Sequence, residues 1–333
     1  MNDYFYILVD GLKLTNANAI SGPQSYGFPA LNGFISAAHA LERRLKKLAD
    51  FPDISFDGVL ISCRDFKIKM DDSGYFATFN QKRAPILKDG KTAPIIEEGY
   101  VDLTVSLVIK ATGDQLRLFN LDKNKKTFEE KFRNLCLMQR FAGGSVEYIR
   151  AVEFFTAEDT DTLKRRLLPG FVLIDAYEDA ANIYHEMVEG YRTEIEEKID
   201  PETGEITRYI CPVGHNPETD MLDVLISTAA IYQIPPKAEQ SEWTRYSFKR
   251  DRGWLVPIPV GYQAITQKYD ADQVANIRNP NYASQFVEVI YGLGKWVFPH
   301  RLKGDINQYF WRYDNSVENL YLITQHQPSN TNL

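Results

Sequence analysis

Along the first 155 positions the apolar residues switch between a period of two and a period of about 3.6, so strands and helices are predicted in turn. Tyr4 to Leu14 is an apolar run suited to a central strand. Leu31, Phe34, Ile35, Ala38, Leu41, Leu45 and Leu48 recur at helical spacing across residues 30–49. The basic residues Arg43, Arg44, Lys46 and Lys47 fall off that stripe, which predicts an amphipathic helix. Residues 57–69 return to alternation. Val101, Leu103, Val105, Leu107 and Ile109 then alternate with Asp102, Thr104, Ser106 and Val108, the pattern of a half-buried strand. Phe128, Phe132, Leu135, Met138 and Ala142 mark a second helix, followed by Gly143-Gly144-Ser145 and a short strand ending near Phe155. The order β-α-β-β-α-β predicts an α+β, ferredoxin-like domain over residues 1–155, with both helices on one face of an antiparallel sheet. RNA-recognition motifs share that architecture and read bases with aromatics on their central strands. The outward positions of residues 101–109 hold no aromatic, so loops are expected to hold any RNA.

The rest of the chain is less regular. Residues 71–98 separate the second and third strands, far too many for a hairpin turn, and segments of that length are usually functional or disordered. Residues 156–252 read as mostly helical and partly acidic. Residues 253–333 read as C-terminal strands and a helix packing back on the core, that is, additional mixed α/β elements. Within them, Trp254 to Tyr262 reads as a strand that Pro257 and Pro259 confine to an edge. Phe286 to Trp296 reads as a helix with Gly292 and Gly294 near its end.

Charge complicates a nucleic-acid reading, since the net charge of the chain is −7. The excess is local. Between Asp175 and Glu205 eleven acidic residues face only Arg192 and Lys198, a local −9 that leaves the remainder at +2. Surface fields decay over a Debye length of ~8 Å, so an acidic segment leaves a basic groove elsewhere intact. The three cysteines, Cys63, Cys136 and Cys211, form no C-x-x-C pair, so reduced thiols are expected rather than disulfides or zinc. No apolar run reaches the ~18 residues of a membrane span, and the first residues lack the plan of a secretory leader. A cytoplasmic protein without membrane contact is expected.

Nine segments in order carry a resemblance: NANAIS (Asn16 to Ser21), YGFP (Tyr26 to Pro29), HALERR (His39 to Arg44), FNQKRAP (Phe79 to Pro85), DGKTAPIIEEG (Asp89 to Gly99), AGGS (Ala142 to Ser145), RRLLPGF (Arg165 to Phe171), GWLVPIPVGY (Gly253 to Tyr262) and FVEVIYGLGKWVFPHR (Phe286 to Arg301). With them the chain resembles, almost end to end, the handle-binding subunits (the Cas-five type, second Csy subunit) of type I-F CRISPR surveillance complexes. The resemblance implies a repeat-associated protein with a modified RNA-recognition fold that grips the 5′ handle of the CRISPR RNA. It further implies a large partner subunit beside it where target double-stranded DNA is first inspected, a neighbouring backbone subunit, and a thumb-like insertion supplied by residues 71–98. Guide maturation would belong to a separate endonuclease subunit, so no cofactor, metal or catalytic residue is expected.

Candidate RNA contacts follow from side-chain chemistry. Asn16, Asn18 and Ser21, after the first strand, offer amides and a hydroxyl to phosphates or base edges; local turn stabilisation competes as an explanation. Tyr26 and Phe28 can stack on bases, with core packing the commoner fate for Phe28. His39, Arg43 and Lys46 form a polar stripe on the first helix, where Arg43 and Arg44 suit bidentate phosphate contact and Lys46 suits plain solvation. Lys82, Arg83 and Lys88 concentrate positive charge on the insertion, and Phe79 beside them suits a wedge at an unstacked nucleotide or a small satellite core. Gly143, Gly144 and Ser145 would let a phosphate approach backbone N–H groups, unless the glycines merely cap the second helix. Arg165 and Arg166, together with Arg250, Arg252 and Arg301, complete the set, any of which can instead face a neighbouring subunit or DNA. Trp254 and Trp296 read as core or interface anchors. Two rivals remain. A metal-independent endoribonuclease would use His39 or His300, and a pure protein-protein adaptor would use the acidic segment.

Overall fold

The computed structural model describes residues 4–48, 52–79, 81–83, 86–92, 95–97, 99–114, 116, 122–189, 194–199, 206–211, 216–234, 243–277 and 279–325, of which 79, 81–83, 95–97, 122–123, 194–199, 206–211, 234 and 244 are described by backbone only. The chain forms two compact units. The larger comprises residues 1–174, 258–291 and 297–333, the smaller 175–257 and 292–296.

In the larger unit β1 (Tyr4–Asn18) leads through the short β2 (Ile20–Gly22) and β3 (Ser25–Tyr26) to helix α1 (Asn32–Lys46). The chain continues into β4 (Ser55–Asp71), the insertion strands β5 (Thr78–Phe79), β6 (Gln81–Arg83) and β7 (Ile95–Glu97), then β8 (Tyr100–Thr112) and α2 (Asp122–Leu137). β9 (Arg140–Phe141), β10 (Gly144–Tyr148) and β11 (Ala151–Thr156) follow, then α3 (Thr160–Arg166) and β12 (Phe171–Asp175). Successive strands of one sheet run β12-β4-β8-β1-β10-β9, with β11 also on β1. β8 is antiparallel to both β1 and β4, so the two strands adjoining the insertion lie side by side at the centre. The insertion is a strand ribbon rather than a bare loop: β5 pairs with the end of β4, and β6 with β7.

The two faces of this sheet have different covers. On one, Phe28 stacks on Phe34 of α1 and lies against Phe66, while Phe128 and Phe132 of α2 meet Phe154 and Phe56. Both helices therefore bury the same face, as their apolar stripes require. On the other, Tyr6, Leu8, Leu60 and Val108 form a core with Leu163, Leu167, Leu302, Ile306 and Phe310. That cover extends over one half of the sheet only. It explains why β8 is half-buried at Asp102 and Thr104 but buried on both faces at Ser106 and Val108, against the expected alternation along the whole strand.

The smaller unit holds α4 (Tyr177–Glu189), β13 (Glu194–Ile199) paired with β14 (Ile206–Cys211), α5 (Met221–Ala229), and β15 (Tyr232–Ile234) paired with β16 (Thr244–Tyr246). Residues 156–252 thus mix strands with helices more evenly than expected. β17 (Trp254–Ala264) and β18 (Val287–Val297) contribute to both units. The expected helix at Phe286 to Trp296 is instead β18, since Val287, Val289, Ile290, Tyr291, Trp296 and Val297 are β-branched or aromatic residues that fit a pleated surface better than a helix turn. β17 is not an edge strand; it lies between β18 and β20 (Leu320–Thr324), which also pairs with β19 (Arg312–Asp314). Its prolines are tolerated because β20 pairs with Gly261, Tyr262 and Gln263, beyond both.

Candidate nucleic-acid interface

The half of the sheet face left open beyond Val108 carries charge across four strands. Tyr148, Lys13, Thr104 and Asp65 stand directly opposite one another, and Lys67 stands opposite Asp102 in the next row. Tyr148 is 52% exposed, an aromatic in the open beside Lys13. Lys13 pairs with Glu147 at 3.0 Å, and Lys69 with Asp102 at 2.9 Å.

Irregularities in strand register shape this surface. On β1, Asp10 and Gly11 oppose the single residue Ser106, and Thr15 and Asn16 oppose Asp102. On β4, Arg64 is the extra residue between Cys63 and Asp65, and on β10 Glu147 is the extra residue opposite Lys13 and Leu14. Each bulge twists its strand and re-aims a side chain. At the second bulge Asn16 adopts φ +55°, its N–H donates to Asp102 Oδ1 at 2.9 Å, and its own Oδ1 accepts from Lys69 Nζ at 2.8 Å. Burial pushes the Asp102 carboxyl up, but the Asn16 N–H and Lys69 outweigh it and hold the group below its ordinary range.

Next to this surface along the same strands lies a cluster of arginines on one buried carboxylate. Arg150 donates from Nε and Nη2 to Asp10 Oδ2 at 2.8 and 2.5 Å. Arg64 donates from Nη2 to Asp10 Oδ1 at 2.9 Å and to the Arg166 carbonyl at 2.8 Å. Arg166 lies 3.8 Å from Asp10 Oδ2 and pairs with Glu153. Ser106 donates its hydroxyl to Asp10 Oδ1 at 3.0 Å and accepts the Gly11 N–H at 3.1 Å. A Cβ on Gly11 (φ +58°) would stand 2.9 Å from the Arg150 Cβ, so glycine is what lets the two backbones approach here.

A model of the CRISPR-associated protein family Csy2 matches residues 7–323. The chain belongs to the Csy2 family. It is 30% identical over 338 residues to the CRISPR-associated protein Csy2 of Pseudomonas aeruginosa (strain UCBPP-PA14), an alignment that covers 95% of this chain and 93% of the relative.

In this Csy2-family chain the residues singled out from sequence are distributed over several surfaces. Asn16 and Asn18 belong to β1 itself rather than following it, and Asn18 accepts the Ile20 N–H. Gly143 (φ +79°) turns the β9-β10 hairpin beside them: Asn18 N–H donates to the Ala142 carbonyl, and a Cβ on Gly144 would lie 3.0 Å from Ala17. The alternative in which these glycines cap the second helix is thereby overturned, since α2 ends at Leu137. Ser145, on β10, is exposed opposite Thr15. Ser21 bonds to Ser25, and Tyr26 packs its half-buried ring over Gly99, so that burial raises its phenol pKa. Asn16, Asn18, Gly143, Gly144 and Ser145 therefore gather at the end of the sheet where the insertion leaves it.

His39, Arg43 and Arg44 are exposed on α1, which covers the opposite face of the sheet. His39 borders a cleft with Glu42, Asp57 and Arg312, and Arg44 reaches the Met138 carbonyl at 3.5 Å. Lys88 is exposed in the insertion; the side chains of Phe79, Lys82 and Arg83 lie outside the described residues. Arg165 and Arg301 are exposed in the larger unit, and Arg166 joins the Asp10 cluster. Arg250 and Arg252 belong to the smaller unit, where Arg252 pairs with Glu186. Sequence reading missed Lys13, Arg64, Lys67, Lys69, Tyr148 and Arg150. Lys67 and Lys69 were detectable, because they alternate with Phe66, Ile68 and Met70. Arg64 and Arg150 were not, since a bulge turns the one and the pairing of β10 and β11 with β1 brings the other to Asp10.

Proposed function

We propose that the chain is a non-catalytic structural subunit of a type I-F CRISPR surveillance complex, a cytoplasmic assembly, in which it holds the 5′ handle of the CRISPR RNA and pairs with the large subunit. The observation that carries this reading is the open half-face, where Lys13 stands opposite the exposed ring of Tyr148 and Lys67 and Lys69 lie across it on β4, with the Asp10 arginine cluster next along the same strands. Lysines and arginines there suit backbone phosphates and the ring suits a splayed base. The strand order β4-β8-β1-β11 beneath two helices agrees with a modified RNA-recognition fold. Relative to the sequence expectation, the sheet joins the loops as a binding surface. Its uncovered half abuts the Asn16 and Gly143 segments and the root of the insertion, so one RNA strand can touch all three.

The test is to co-express the chain with its large partner and measure binding of labelled 5′-handle RNA and of a scrambled RNA at two salt concentrations, with a Lys67→Ala/Lys69→Ala pair alongside. Selective, salt-sensitive binding that the pair weakens, with the RNA left intact, is the expected result. Cleavage of the RNA would favour the endoribonuclease reading with His39 or His300, and indifference to RNA would leave a protein-protein adaptor.

A further inference from the structure

The cluster on Asp10 holds three guanidiniums and two carboxylates, those of Asp10 and Glu153, so one positive charge is left over in a partly enclosed place. Asp10 is fully buried, while the side chains of Arg64, Arg150 and Arg166 are 10%, 45% and 40% exposed. The carboxylate is the inner anchor and Arg150 and Arg166 face outward. Among the described residues the buried Nε–H groups of Arg64 and Arg166 have no hydrogen-bond partner. An unmet donor on a buried cation is costly, and the positive charge left over is what an anion at the outward-facing Arg150 and Arg166 would offset. Arg64 reports the same tension: burial lowers its pKa, Asp10 raises it, and Arg150 and Arg166 lower it again.

We infer that Arg64, Arg150 and Arg166 form a preorganised pocket for a single backbone phosphate of the RNA, and that Asp10 is the positioning residue that holds their forks in place. The inference rests on the RNA-binding reading above and adds to it a specific site and a sign. Unanchored, three arginines side by side would repel one another and keep the rotamer freedom that binding must remove. Asp10 offsets the repulsion and fixes Arg150 through two N–H bonds to one oxygen, and Ser106 and the Gly11 bulge fix Asp10 in turn. The bulges at Asp10-Gly11 and Arg64 place anchor and arginine together on a face that a regular ladder would have filled with alternating side chains.

The consequence runs against simple charge counting. Asp10→Asn removes a negative charge from an RNA-binding surface, so long-range electrostatics alone would tighten binding. The positioning role predicts that it weakens binding. Arg150→Lys keeps the charge and loses the fork, and is expected to lower affinity ~10-fold with the salt slope of binding unchanged. Both variants are measured in complex with the large partner, on 5′-handle RNAs bearing one uncharged methylphosphonate linkage at successive positions, with inorganic phosphate as a separate competitor. In the wild type one linkage should cost far more than its neighbours, and in Arg150→Lys that position-specific loss should shrink.

Wild type that binds no RNA would overturn the functional reading itself. Wild type that binds while both variants bind as well or more tightly would overturn this inference alone, as would an even cost along the RNA or displacement by inorganic phosphate with no RNA-specific loss. If thermal melts show Asp10→Asn to be unfolded, Arg150→Lys, whose side chain is partly exposed, decides the matter.

Discussion

Single side chains on the open half-face make separable contributions. Lys67 is exposed opposite Asp102, and each phosphate neutralised on a single strand contributes a salt slope of ~0.7, so Lys67→Ala is expected to flatten the log-log salt dependence of RNA binding by about that amount. Tyr148 acts through stacking. Its replacement by Ala is expected to weaken binding by ~1–3 kcal/mol with the salt slope unchanged, which a titration series in NaCl distinguishes from a charge effect. Gly11 serves the backbone instead. Gly11→Ala meets both a left-handed φ and the Arg150 Cβ, and is expected to cost ~1–3 kcal/mol of stability, read as a lower urea midpoint with little change in m. The sequence marks Gly11 only as a glycine inside an apolar run; the positive φ comes from the bulge.

At the scale of elements, those with one clean period were readable in advance. β1, α1, β4 and β8 fall where the alternation and the helical stripe place them, the strands a few residues longer and the helix a few residues shorter than read. α2 ends earlier than its apolar residues suggest, at Leu137, and Ala142 enters a tight turn at φ +48°. β18 reads ambiguously because a short apolar stretch with two glycines supports either period, and only pairing with neighbours resolves it. α5 shows local sequence and structure agreeing. Asp220 caps it by accepting the Asp223 N–H, while the Asp223 side chain accepts the Asp220 N–H in return. Asp220→Ala is expected to destabilise the smaller unit by ~1 kcal/mol, visible as faster amide exchange through residues 221–229.

At the scale of the whole molecule, burial sets the reactivity of the two thiols among the described side chains, Cys63 and Cys136. Burial pushes the Cys63 thiol up to about 12 and raises Cys136 as well, and the thiolate is the reactive form. Both are expected to resist iodoacetamide at pH 8 in the native chain and to be alkylated only on unfolding, which peptide mass spectrometry after a urea series would show. The covering of one half of a sheet face is likewise a property of the whole. Leu163 and Leu167 arrive from just beyond the β-α-β-β-α-β segment, and Leu302, Ile306 and Phe310 from about 150 residues beyond it. Taken alone, the alternation in β8 promises one solvated face throughout. The cover removes half of it, and what stays open is the part beside the insertion.

The sequence by itself determined the α+β class, the order of the first elements, the stripe that seats α1, and the family resemblance, because these depend on short-range periodicity and on contiguous segments. Tertiary structure alone decided which half of the sheet stays uncovered, that α3 and the C-terminal segment together form the cover, and that Asp10 gathers Arg64, Arg150 and Arg166. The physical reason is that a bulge or a long-range apolar contact changes the direction of a side chain without leaving a periodic trace. Separations of 54, 140 and 156 positions along the chain meet at one carboxylate only after the strands have paired.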